Sequence, residues 1–96
     1  MKISGINWVD IADKELWVAF YWYEERREGL GVEFAGCVDA GLERLVRHPF
    51  IGRPIRDDVR RILIRRFPYI LYYRIVGDEI EVVGFRHHKQ DSLEFS

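Results

Sequence analysis

Two constellations carry the chemistry available to this chain. One is the stretch RRILIRRFPYILYYR from Arg60 to Arg74. Arginine keeps its charge, forks onto phosphates or carboxylates, and stacks on flat rings. The other is Arg86-His87-His88-Lys89-Gln90-Asp91. Two imidazoles between two cations can hold a phosphodiester and move a proton near neutral pH. His87 and His88 are therefore the candidate catalytic residues. Arg61, Arg65, Arg86 and Lys89 are the candidates for holding a phosphate or an acidic target. A polar strand end with solvated histidines is the plainer reading of the same residues. Adjacent imidazoles point apart and no third ligand lies at ligand spacing, so no metal site is expected. There is no P-loop, Rossmann glycine pattern, HExxH or nucleophile elbow, and no cofactor is expected.

The net charge of −1 hides a segregation. Residues 1–43 carry four Lys/Arg against nine Asp/Glu, whereas residues 44–74 carry nine arginines against two acids. Residues 75–96 return to two cations against five acids. Steering and phosphate contact are local effects, so a near-neutral total does not exclude an anionic partner. The alternative partners for these arginines are the carboxylates of the acidic N-terminal half.

Ninety-six residues, 48% of them hydrophobic, predict a single domain over 1–96 with a core of its own. Cys37 is the only cysteine, which excludes an internal disulfide and points to a reducing compartment. No apolar run reaches the roughly 20 residues of a membrane span, and the N-terminus has no signal-peptide core. The expected location is the cytoplasm.

Periodicity supplies the elements that must position these side chains. Lys2–Val9 reads as a first strand. Ala12, Leu16, Ala19, Phe20 and Tyr23 form one apolar stripe of a helix over Ala12–Arg27, with Asp10 or Asp13 as its cap. Glu28-Gly29-Leu30-Gly31 breaks it. Phe34, Val38, Leu42 and Leu45 mark a second helix over Val32–Arg47, in which Gly36 and Gly41 are expected to allow close approach. A four-residue link makes the two helices an antiparallel hairpin. Gly52-Arg53-Pro54 reads as loop. Val59–Arg66, Tyr69–Val76 and Glu79–Arg86 then follow as a meander of three strands. The order β-α-α-β-β-β gives an α+β fold, an antiparallel sheet with the helical hairpin on one face.

Alternation along the first strand of the meander puts Ile62 and Ile64 toward the helices, and Arg61, Leu63 and Arg65 away from them. The next strand is apolar on both sides and reads as central. On the first helix, Trp17, Val18, Tyr21 and Trp22 lie off the core stripe. Such an apolar patch marks a protein partner, unless part of it folds down over the N-terminal strand.

Taken in order, these residues resemble the RelE/ParE family of toxins from bacterial toxin–antitoxin modules, over about residues 6–91. The resemblance rests on Ala12-x-x-Glu15-Leu16, Tyr23-Glu24-Glu25-Arg26 and Leu45-x-x-x-Pro49-x-x-Gly52-Arg53-Pro54. It continues through Val59-Arg60-Arg61, Arg66-Phe67-Pro68-Tyr69 and Tyr73-Arg74 to His87-His88. It implies a toxin, as in plasmid stabilisation modules, neutralised by a cognate antitoxin that wraps across it. The surplus aromatics Trp17, Val18, Tyr21 and Trp22 suit such a partner. RelE-like members cut mRNA on the ribosome; ParE-like members inhibit DNA gyrase. Leu63 and Ile70 stand where RelE-like members place basic residues, no tyrosine follows the last strand, and Gln90 stands where many members have arginine. These departures favour a ParE-like gyrase inhibitor. The alternatives are a metal-independent ribosome-dependent RNase using His87 or His88, and a non-toxic member that keeps antitoxin binding.

Overall fold

The computed structural model describes residues 1–90, so Asp91 of the basic constellation lies outside it. The elements are β1 (Gly5–Trp8), α1 (Asp10–Arg26), α2 (Leu30–Arg47), β2 (Arg53–Arg56), β3 (Val59–Leu63), β4 (Tyr69–Val76) and β5 (Glu79–His87), followed by a 3-10 turn at His88–Gln90. Among the described residues the five strands form one open sheet in the order β1-β5-β4-β3-β2. The expected α+β class and the central position of β4 hold. Two features differ from expectation. Arg53–Arg56 is a strand rather than loop, paired antiparallel with β3. β1 runs parallel to β5, from Gly5 opposite Glu79 to Trp8 opposite Val82, so the sheet is mixed.

The helices form where the apolar stripes fall. α2 buries Phe34, Val38 and Leu45 against the sheet. α1 buries only Ala12 and Ala19 completely, while Leu16, Phe20 and Tyr23 pack at the core margin. The start of α1 departs from expectation. Val9 is the N-cap and no side chain bonds the first turn; Asp10 and Asp13 lie inside that turn, near its positive end. The turn between the helices is tied by Glu24, whose carboxylate accepts the N–H groups of Gly29 (2.9 Å) and Gly31 (2.8 Å).

On the helix-facing side, Ile62, Leu71, Tyr73, Ile80, Val82 and Phe85 complete the core. Ile70 and Tyr72 are also fully buried on the opposite face, which accounts for the near-continuous apolar run of β4. The Tyr73 hydroxyl is bonded into the main chain. It donates to Pro49 O (2.7 Å) and accepts from Gly52 N–H (2.9 Å), which pins the exit of α2 to the central strand. Burial holds its phenol above the ordinary pKa, so the hydroxyl stays a donor throughout the neutral range.

β3 stops at Leu63, short of the expected Arg66. Arg66 has φ 70°, a left-handed conformation that no strand continues through. Its guanidinium turns to Glu33 of α2 at 3.0 Å. Arg66 and then Arg27 hold the Glu33 carboxyl below its usual pKa. The link between sheet and helix is therefore intact at neutral pH and is lost as the pH falls through the carboxylate range.

Two predictions test this framework. Tyr73→Phe strands the Gly52 N–H and Pro49 C=O, and urea unfolding should show a loss of about 1–3 kcal/mol. The glycines of α2 separate two effects. A Cβ on Gly31 would lie 2.9 Å from Phe20 O, whereas one on Gly36 meets nothing within 4 Å. Gly31→Ala should destabilise by about 1 kcal/mol or more through overpacking. Gly36→Ala should stabilise by about 0.5–1 kcal/mol through helix propensity. A shared sign for the two substitutions would refute the role given to Gly31.

Candidate functional site

Three surfaces gather the residues singled out by sequence. The first is the outer face of α1. Trp17, Val18, Tyr21 and Trp22 are between 47% and 71% exposed, so none of them folds down over β1. Their rings are held in place by neighbours. Trp17 sits edge-on to Phe20 at 5.4 Å, and Arg26 stacks on Trp22 with its Cζ 3.7 Å from the ring centroid. A shallow apolar depression of about 600 Å³ runs along this face, with Asp13, Lys14 and Glu25 at its margins. A rigid aromatic strip with a charged rim is the usual anatomy of a protein-binding hot spot.

The second surface is a groove between α1 and the ends of β4 and β5. Its main part is about 510 Å³, with Lys14, Glu15, Val18, Tyr69, Phe85 and His87 among its lining residues. A smaller part of about 290 Å³ continues past Ala19 to Trp22 and Tyr23. Burial raises the pKa of the Tyr69 phenol, with a smaller push from Tyr23. The His87 ring stands edge-on to Tyr69 at 5.3 Å, and its Nδ1 accepts the Lys89 N–H at 3.1 Å. In the neutral imidazole that bond puts the proton on the other ring nitrogen. Glu15 closes the wall of the groove. It accepts the Phe85 N–H at 3.0 Å and pairs with Arg86 at 3.3 Å, both side chains being largely buried.

The third surface is the sheet face turned away from the helices. Register places Arg53, Arg61, Tyr72 and Gly84 side by side across β2 to β5, with Leu63, Ile70 and Arg86 forming the next row. Arg61 and Leu63 thus face away from the helices as expected. Arg65 does not share their strand; it lies in the bend between β3 and β4 because β3 ends two residues earlier. The residue opposite Arg61 is Arg53, which the loop reading of Gly52-Arg53-Pro54 hid. The available signal was Pro54 in an edge strand, a position where a missing N–H is tolerated. Two arginines directly opposed across strands repel each other and gain from an anion between them.

His87 and Arg61 do not share a face of the sheet. His87 pairs with Tyr69, in the parity of the buried Phe85, and so belongs to the helix-side groove. Arg61 is on the opposite face. His88 and Lys89 lie in the exposed 3-10 turn. The guanidinium of Arg86 is engaged by Glu15. Leu63, 59% exposed, puts an apolar side chain in the row next to Arg53 and Arg61 on that face. Among the described residues, no group of three His, Cys, Asp or Glu side chains could hold a metal ion, and no helix is long and apolar enough to cross a membrane.

The comparisons with known proteins agree with this architecture. A chain from a structure described as the chromosomal ParDE toxin–antitoxin system from P. aeruginosa superposes with a TM-score of 0.72. The match covers 88% of this chain and 96% of that one, at 19% identity, and shows a shared fold. No curated protein matches by sequence. The family model that describes the ParE toxin of the type II toxin–antitoxin system parDE matches residues 6–92. The chain belongs to that family of type II toxins.

Proposed function

We propose that this toxin acts by binding rather than by cutting, as an inhibitor of DNA gyrase that a cognate antitoxin neutralises. The observation that carries the reading is that His87 and Arg61 lie on opposite faces of the sheet. Metal-independent RNA cleavage needs cations on the scissile phosphate within reach of a group that activates the 2′-hydroxyl. Here His87 lines the helix-side groove, Arg61 faces the other side of the sheet, and Leu63 beside it is exposed and apolar. A protein-binding toxin requires no such convergence. It requires rigid, exposed anchors, and the outer face of α1 supplies them.

The ParDE neighbour supports an antitoxin as one partner. The aromatic strip of Trp17, Val18, Tyr21 and Trp22 is the surface whose composition fits that partner best. An amphipathic segment of the antitoxin laid along the strip would bury large rings at little cost in side-chain entropy. The margins of the strip carry both signs of charge, which favours a partner of mixed charge.

Three experiments test the proposal. Purified toxin in molar excess should stop gyrase from supercoiling relaxed plasmid, and added antitoxin should restore it; undiminished supercoiling would refute gyrase as the target. Replacing His87 and His88 together by alanine should leave growth arrest intact. Arrest that disappears with that pair, accompanied by a translation block, would transfer the function to mRNA cleavage. For the antitoxin surface, Trp17→Ser combined with Trp22→Ser should weaken antitoxin affinity roughly a hundredfold while toxicity persists. Unchanged affinity in a titration would remove the strip from that role.

A further inference from the structure

The turn that joins α2 to β2 is held more firmly than any connection of its length requires. His48 to Ile51 is a turn closed by Ile51 N–H on His48 O at 3.1 Å, with Pro49 at its second position, where proline is favoured. Tyr73 reaches from the central strand to bond Pro49 O and Gly52 N–H. Arg60 of β3 donates from one nitrogen to Phe50 O (3.1 Å) and Gly52 O (2.9 Å). Pro49 and Gly52 are buried, and a Cβ on Gly52 would fall on the Tyr73 ring. The backbone of this turn is fixed by the core beneath it.

What the turn displays runs against that investment of structure. Phe50 is 59% exposed and Ile51 52% exposed, adjacent at the tip. The Arg60 guanidinium lies 5.3 Å from the Phe50 ring centroid and limits its swing. A cavity of about 550 Å³ opens beside the pair, lined also by Met1, Arg47 and His48. Arg47 and Arg53 flank the turn, both exposed. The nearby acids are Asp57 and Asp58, which contact Arg56 at 3.9 Å and Arg74 at 3.6 Å. Two apolar anchors on a pre-ordered turn, within a basic surround, match an apolar cleft in an acidic surface. Their immobility removes most of the ordering cost that a mobile loop would incur on binding.

We propose that the Phe50–Ile51 turn is a docking point for an acidic protein surface on the toxin's target, distinct from the α1 strip. The assignment rests on the reading of this chain as a toxin that acts by binding a protein. The sheet order supports the separation of the two surfaces. The turn leads into β2 at one edge of the sheet, while α1 packs over β5 beside the other edge. A toxin with separate surfaces can be held by its antitoxin and still present the turn.

The test uses the full chain with Phe50→Ser and Ile51→Ser together. Growth arrest on induction should be lost, and gyrase inhibition should weaken about tenfold or more, as expected when two anchors are removed. Antitoxin affinity and the thermal unfolding midpoint should match the unmodified chain. Arrest equal to that of the unmodified chain would overturn the proposal. So would joint loss of arrest and antitoxin binding, because the two surfaces would then be one. A third result, arrest lost in Arg47→Glu/Arg53→Glu but kept in the serine variant, would assign the region to nucleic acid and overturn it as well. If the unmodified toxin leaves gyrase untouched and the serine variant still loses arrest, the turn stands and gyrase falls as the target. If the unmodified chain does not arrest growth at all, both readings fall.

Discussion

A single buried hydroxyl organises much of this molecule. Tyr73 lies in the middle of the central strand with no exposure to solvent, so its phenol oxygen must find partners inside the protein. It finds them in the main chain leaving α2, as donor to Pro49 and acceptor from Gly52. That bridge fixes where the chain comes down from the helices onto the sheet. β2 begins one residue after Gly52 and takes its register opposite β3 from there. Arg60, directly opposite Tyr73 in the sheet, completes the clamp from the neighbouring strand. The phenol, the guanidinium and the turn form one network, in which each buried polar atom would be costly without the others.

Carboxylates on α1 perform the same kind of service at two other junctions. Glu24 supplies the acceptor for two N–H groups at the start of α2, and Glu15 supplies one for Phe85 where β1 no longer covers β5. α1 is therefore bound to the rest of the protein by hydrogen bonds from its flank and C-terminal end as well as by burial of its apolar stripe. This explains how a helix can keep so many rings outside. Ala12 and Ala19 are its fully buried residues, Leu16, Phe20 and Tyr23 pack at the core margin, and Trp17, Tyr21 and Trp22 stay outside.

The sequence was legible where periodicity is strong. α2, β4 and β5 fall within a residue or two of expectation, and the orientation of Arg61, Leu63, Ile62 and Ile64 follows from simple alternation. β2 was illegible because its four residues, Arg-Pro-Ile-Arg, carry no apolar alternation and owe their strand geometry to pairing with β3. The end of β3 was misjudged because Arg65-Arg66 continues the alternation while Arg66 leaves the extended region to meet Glu33, a contact 33 residues away in sequence. The parallel pairing of β1 was hidden for a related reason. Nothing local in Ile6-Asn7-Trp8 says which distant strand it will join. Of the candidate residues, those in the exposed α1 strip were readable from helical angle alone. The relation of His87 to Arg61 was not, since it depends on which face of β5 turns toward α1.

The pairing of β1 with β5 joins positions that are 74 residues apart, as at Ser4 and Asp78. The opening strand of the polypeptide therefore has no sheet to enter until the closing strand has been synthesised. During translation the helical hairpin, all local contacts, can form early, whereas the sheet edge beneath α1 is completed only once β5 has been made. That order leaves the strand pairing of longest sequence separation in the sheet for last.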